Sequence, residues 1–158
     1  MSLDPDSFRA VLGRFATGVT VVTCIGDDGQ DYGMTVSAFC SVSLVPPLVL
    51  VCIGHAASAH APLTAASHFA VNVLSASQEP LARRFADTGE QRFAGVGYRR
   101  GERGPALLDD ALASLECRRV ALHTAGDHDV IIGEAERTTL KDARPLLYYR
   151  GGFAQLER

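Results

Sequence analysis

The alternation of apolar and polar positions opens on a short helix and then changes period. Phe8, Val11, Leu12 and Phe15 recur at i, i+3, i+4 and i+7 behind Asp6, the spacing of one helical face with a capping residue in front. This pattern predicts a helix that ends near Gly18. Val19 to Ile25 is β-branched almost throughout, and Gly26-Asp27-Asp28-Gly29 follows it, which reads as a strand and a tight turn. Tyr32–Ser37 and Phe39–Leu44 mix short polar with apolar residues and continue as strands. Pro46-Pro47 forces an extended break. Leu48–Ile53 is an unbroken apolar run, the mark of a strand buried on both faces.

The second half carries the same kind of signal. Ala56–Ala66 is Ala-rich with Pro62 inside it and is given one short helix. Phe69–Leu74 is a further strand. Ser77 caps a helix over Gln78–Ala86, whose first turn tolerates Pro80. Gly89–Asp110 is broken by glycines and Pro105 and reads as a long loop with one small strand at most. Leu115–Thr124 and Asp129–Leu140 are long strands joined by Ala125-Gly126-Asp127-His128, and Leu146–Tyr149 is the last strand before Gly151-Gly152 and Phe153. About seven strands and two or three helices without β-α-β alternation imply a mostly β fold, an antiparallel sheet closed or nearly closed into a barrel with peripheral helices. No repeat, low-complexity tract or linker divides residues 1–158, so one domain is expected.

Composition narrows the function classes. At 158 residues, 47% apolar and 21% charged, the chain has material for a full core. Fifteen basic against 18 acidic residues give a net charge of −3, and no Lys/Arg-rich block offers itself to nucleic-acid phosphates. The longest apolar stretch, Leu44–Ile53, is half of what a membrane span needs and is broken by its prolines. With no basic segment and apolar run at its start, the protein is expected to be soluble and cytoplasmic. Cys24, Cys40, Cys52 and Cys117 form no C-x-x-C pair; they read as reduced thiols packed as small hydrophobes, and no metal site is expected.

Nucleotide-binding glycine fingerprints, Walker loops, nucleophile elbows and zinc-protease helices are all missing from the sequence. Gly95-Val96-Gly97 opens no helix. What remains is a set of small hydroxyls on strands, Thr35, Ser37, Ser41 and Ser43, with Ser58 downstream. Hydroxyls and free amides at strand ends hold phosphates or the edges of heteroaromatic rings, although on strands they more often face solvent or pair across the ladder.

The run Gly33-Met34-Thr35-Val36-Ser37-Ala38-Phe39-Cys40-Ser41-Val42-Ser43-Leu44-Val45-Pro46-Pro47-Leu48 resembles the signature of the short-chain flavin reductases, the FMN-binding split-barrel reductase components of two-component monooxygenases. The resemblance continues in order through Phe15–Thr23, Phe69–Leu74, Gln78–Ala86, Ala125–Glu134 and Leu147–Phe153. It implies a split β-barrel, bound FMN or FAD, and NADH, with NADPH left open, as hydride source. It also implies a homodimer and a separate monooxygenase that receives reduced flavin by diffusion, with no nucleic-acid or membrane partner.

Carried residue by residue, the resemblance gives the isoalloxazine ring to Met34, Thr35, Val36, Ser37 and Ala38, with Ser41 just behind. It gives ribityl and phosphate groups to Cys52, Ile53 and Ser58. His55 stands where relatives often carry Arg or Lys, a weaker phosphate partner. Arg83, Arg84 and Phe85 are the next candidates for the phosphate or adenylate end, with Arg84 and Phe85 preferred. Asp127 and His128 are implied at the nicotinamide, His128 nearest the chemistry, and Tyr148 and Arg150 are implied to close the pocket. Arg99-Arg100 is the pair that a 2′-phosphate would need. A flavin carrier of the same fold that never admits nicotinamide is the alternative, and a vitamin B6-phosphate oxidase relative ranks last because the strands lack its basic residues.

Overall fold

The computed structural model describes residues 1–89 and 91–157. The helix α1 (Pro5–Leu12) is capped by Asp4, whose carboxylate accepts from the Ser7 amide at 2.9 Å. The cap therefore lies two residues before Asp6, and the helix stops at Gly13 rather than near Gly18. The strands that follow are β1 (Thr17–Gly18), β2 (Thr20–Ile25), β3 (Asp31–Val36), β4 (Phe39–Ser43) and β5 (Leu48–Gly54). Next come α2 (His60–Ala65), β6 (His68–Val73), a 3-10 turn Ala76–Gln78 and α3 (Glu79–Ala86). Ser75 and Gln78 close a capping box ahead of α3, the role expected of Ser77; Ser75 is the residue three positions before a glutamine, which is the spacing that box requires. The long loop holds a small hairpin, β7 (Tyr98–Arg100) with β8 (Ala106–Leu108). The chain ends with β9 (Ala113–Ala125), β10 (His128–Leu140), β11 (Leu146–Tyr149) and β12 (Gly152–Gln155).

Seven strands pair antiparallel in the order β3-β2-β6-β9-β10-β5-β4. The two edges, β3 and β4, are neighbours in the chain and are joined only by Ser37-Ala38. Three peptide steps from Val36 to Phe39 reach at most about 11 Å, so the sheet must curl until its edges nearly meet. They do not pair with each other. The result is a barrel with one open seam, and that seam falls on Ser37-Ala38. A second sheet, β1-β11-β12, stands beside it.

The interior of the curled sheet holds Val22, Cys24, Val36, Val51, Ile53, Leu63, Phe69, Val71, Cys117 and Ile131. A second cluster, with Val19, Val21, Leu74, Ala82, Phe85 and Leu146, lies between β2 and α3. β2 serves both and is buried at every position except its last, Ile25. β5 was expected to be the doubly buried strand, and it is not: Val49, Val51 and Ile53 point inward while Leu48, Leu50 and Cys52 remain half exposed.

Candidate active site

Around the seam lies an open cleft of about 520 Å³ lined by Val19, Thr35, Ser37, Arg83, Ala86, Asp87, Tyr148, Gly151 and Phe153. Its volume is in the range of small-molecule sites. β3 brings Thr35, the seam brings Ser37, and the cross-strand pair Tyr148–Phe153 forms an aromatic wall with ring centroids 5.6 Å apart. The Thr35 hydroxyl donates to the Ala82 carbonyl at 2.6 Å, which ties β3 to α3 and fixes the cleft's width. The turn after β11 puts Arg150 and Gly151 at φ 54° and 76°, two successive left-handed residues in a two-residue hairpin loop. The amide of Arg150 donates to the Gly13 carbonyl at 2.8 Å, so this residue holds α1 to the cleft wall through its backbone.

A second hollow of about 600 Å³ adjoins the first through Ser37, Tyr148 and Gly151, and adds Thr17, Ala38, Leu50 and Cys52 with the apolar Leu12 and Phe15. One observation there bears on ligand fit. Thr17 Oγ1 is a buried side-chain oxygen without a hydrogen-bond partner among the described residues, and such atoms ordinarily find one. A seam with unpaired edges, an orphaned hydroxyl and an aromatic wall suits a flat heteroaromatic ring rimmed by donors and acceptors.

The Gly126-Asp127-His128 turn docks on the end of β5. His128 is in register with Gly54, and the His55 amide donates to the Asp127 carbonyl at 2.9 Å. Nδ1 of His128 lies 2.7 Å from the Asp127 carboxylate. That contact, with the histidine's charge, holds the Asp127 carboxyl below the usual range. His128 is half exposed with one ring edge paired, and it stands at a rim open to solvent.

A model of the flavin reductase like domain matches residues 12–157. The chain belongs to the flavin reductase-like family. It is 44% identical over 152 residues to the FMN reductase (NADH) of Agrobacterium fabrum, covering 96% of this chain and 86% of that protein. It is 37% identical over 158 residues to the reductase subunit of a flavin-dependent monooxygenase from Mycobacterium tuberculosis, covering 98% and 84%. The solved NADH:FAD oxidoreductase of Streptomyces globisporus, in complex with NAD and FAD fragments, superposes with a TM-score of 0.91 at 42% identity, over 99% of this chain and 96% of that one. The mostly β fold and its split-barrel form are those of the family.

In this flavin reductase-like chain the sequence candidates divide. Thr35, Ser37, Ala38, Cys52 and Tyr148 face the two joined hollows. Val36 and Ile53 have their side chains in the barrel interior, and the half-buried Met34 packs against the same cluster; none of the three lines the joined hollows. Ser41 sits on the edge strand β4, opposite Val49. Phe85 lines neither hollow. It is fully buried beside Phe93 and leaves no edge for a cofactor. Arg84 lines neither of these hollows; its guanidinium donates to the carbonyls of Gln91 and Ala94. Arg83 is the arginine that lines the cleft, its guanidinium 4.9 Å from the Phe153 ring centre. Helical spacing separates the two. Positions 83, 86 and 87 share one face and 82 and 85 the buried one.

One further arginine carries no signal in the sequence. Arg92 donates to the Gly33 carbonyl at 2.7 Å and to Ser58 Oγ at 2.9 Å, beside a third hollow of about 330 Å³. It thus supplies at Ser58 the cation that His55 was a poor stand-in for. Arg100, half of the pair considered for a 2′-phosphate, is taken up by an ion pair with Asp31.

Proposed function

We propose that this chain is an NADH-dependent flavin reductase that acts as a single domain and supplies reduced FMN or FAD to a separate monooxygenase. The observation that carries this reading is the unpaired seam, where exposed backbone, Thr35 and Ser37 meet an aromatic wall in an open cleft. A bound flavin supplies the hydride-accepting chemistry. The protein's part is binding, alignment and electrostatics.

Amides of Ser37 and Ala38 are placed to donate to the polar edge of the ring and so favour negative charge that develops there. Tyr148, Phe153 and Val19 exclude water from one side. Arg83 in the cleft and Arg92 with Ser58 are the cations for the anionic tail. His128, fixed by Asp127 and seated against Gly54, borders the open side where nicotinamide would lie. No side chain is asked to be a nucleophile or to take a proton, so single substitutions should act on affinity before they act on hydride transfer. The commitment of Arg100 to Asp31 supports NADH over NADPH.

The open face of β5 supports a homodimer. Leu50 and Cys52 sit there with Cys40, Val130 and Ile132, their register partners, an apolar surface next to Leu12 and Phe15 that a two-fold partner would cover. All four cysteines are free, which suits the reducing cytoplasm, and no described helix is long and apolar enough to cross a membrane.

The test is direct. Protein mixed with NADH and free FMN or FAD should bleach the nicotinamide band catalytically. A flat trace with both NADH and NADPH overturns the reading and favours a flavin carrier. Extensive dialysis should remove the flavin; retention would contradict a diffusible product.

A further inference from the structure

Behind the Gly126-Asp127-His128 turn, three side chains converge that the proposed reaction does not use. Asp129, the second residue of β10, is almost wholly buried, yet its carboxylate meets two imidazoles. His60 Nε2, at the start of α2, lies 2.6 Å from Oδ2, and His55 Nε2, in the β5–α2 connection, lies 3.3 Å from Oδ1. Thr124 Oγ1 donates to Oδ1 at 2.7 Å from the facing strand β9. The two rings are nearly perpendicular, 77° apart with centroids at 5.2 Å, so they approach the carboxylate from different directions.

We infer that His55, His60 and Asp129 form a binding site for a divalent first-row transition ion of the zinc class. The ligand atoms all lie within 4.8 Å of one another. A tetrahedral ion with bonds of about 2.0–2.1 Å places its ligands about 3.3 Å apart, so the Asp129–His60 contact opens by under an ångström, the 3.3 Å His55–Asp129 contact already fits, and the widest spacing, within 4.8 Å, closes by up to about 1.5 Å through rotation of the half-exposed His55. Two neutral imidazoles and one carboxylate are a donor set that zinc accepts, with a fourth position left for water. His55 is 40% exposed and gives that position access to solvent. On binding, the metal displaces the Nε2 proton that each ring directs at the carboxylate; the neutral ring then carries its one proton on Nδ1, any surplus proton leaves to solvent, and the Nε2 lone pair meets the metal. Thr124 is a ready outer-shell support for the carboxylate. The cysteine pattern gives no sign of this site: its ligands are five residues apart in one segment and about seventy from their third member, a grouping only the barrel makes. The ion would clamp the β5–α2 connection to the β9–β10 turn.

The test uses flavin-free protein stripped with chelator and titrated with ZnCl2 by calorimetry, then with CoCl2 by absorption. The expected result is one equivalent bound per chain and a visible cobalt spectrum of four-coordinate intensity. His60→Gln and Asp129→Asn should abolish that equivalent, and Thr124→Val, which leaves the ligands in place, should weaken it by about 10–100-fold. Circular dichroism of each variant separates loss of the site from loss of fold. Absence of a stoichiometric zinc event in the folded wild type, a six-coordinate cobalt spectrum, or equal zinc affinity in folded His60→Gln would overturn the proposal. Because flavin and NADH are absent, the result stands apart from the fate of the reductase reading.

Discussion

β2 and β5 look mismatched to their surroundings. β2 reads Thr-Val-Val-Thr-Cys-Ile, a third of it hydroxyl-bearing, and all but its last residue are buried. β5 reads Leu-Val-Leu-Val-Cys-Ile-Gly, and only every second residue is buried. The difference lies in what each strand's polar or apolar groups meet. Thr20 Oγ1 donates to the Val36 carbonyl at 2.6 Å and Thr23 Oγ1 to the Ala106 carbonyl at 2.7 Å. With those bonds made, a hydroxyl costs little inside. The outer face of β5 stays half exposed, and its Leu50 and Cys52 border the hollow beside the seam. A wholly apolar strand with one open face therefore leaves a surface that the chain's own fold does not bury, and under the proposed function a ligand and a second subunit would cover it.

The strongest test of this contrast uses alternate positions of one strand. Ile53 is fully buried in the barrel interior, and Ile53→Ala should cost about 2–5 kcal/mol by the usual transfer and cavity terms. Leu50, three positions earlier and on the opposite face, should cost the isolated chain well under that when replaced by alanine. Chemical denaturation at low protein concentration compares them. Similar losses at both positions would remove the distinction between the two faces.

The sequence carried the strands in its periodicities and a closed or nearly closed barrel in their number and order, but not where that barrel opens. Strand identity follows from β-branched runs, and every long strand expected is present. The seam does not follow from any local signal, because it depends on β3 and β4 being the two edges of one sheet, a fact of strand order. The same limit explains the site. Thr35 and Ser37 were legible through their family motif, whereas Arg92 meets Ser58 across 34 residues and no spacing announces it. Arg83 and Arg84 were distinguishable in principle by helical phase, since Ala82 and Phe85 define the inward face of α3. The long segment after α3 hid the β7–β8 hairpin because three-residue strands carry too few positions for alternation to register.

A second prediction moves to assembly. Leu50→Asp places a charge on the apolar outer face of β5, beside Cys40 and Ile132. If that face is the dimer interface, the dissociation constant should rise by roughly thirtyfold or more, about 2 kcal/mol, as read by sedimentation velocity across a dilution series. An unchanged sedimentation profile would sever the link between the open face and a second subunit. On β2 the matching change is Thr23→Val, close in shape but unable to donate. It should destabilise by about 1–2 kcal/mol, because the Ala106 carbonyl would keep only its long 3.4 Å contact to Asn72. A neutral result would mean the hydroxyl is dispensable and that β2 is buried for shape alone.

The mildest probe leaves the protein unmutated and reads the same contrast through its thiols. Cys24 on β2 and Cys117 on β9 are fully buried, and burial pushes both thiols up to about 12, with nearby carboxylates adding to the effect. At pH 8 only roughly one in ten thousand of either is thiolate, the form that reacts. Cys40 is exposed on β4. Cys52, on the outer face of β5, is only half buried, and its thiol is raised chiefly by that partial burial. A disulfide reagent should therefore modify Cys40 first and Cys52 more slowly, while Cys24 and Cys117 wait for denaturant. If a second subunit and the flavin cover this face as proposed, raising protein concentration should slow both Cys40 and Cys52, which share it, and adding FMN should slow Cys52. Early labelling of Cys24 would show that β2 opens in the native state, and the sealed strand would then differ from the open one only in degree.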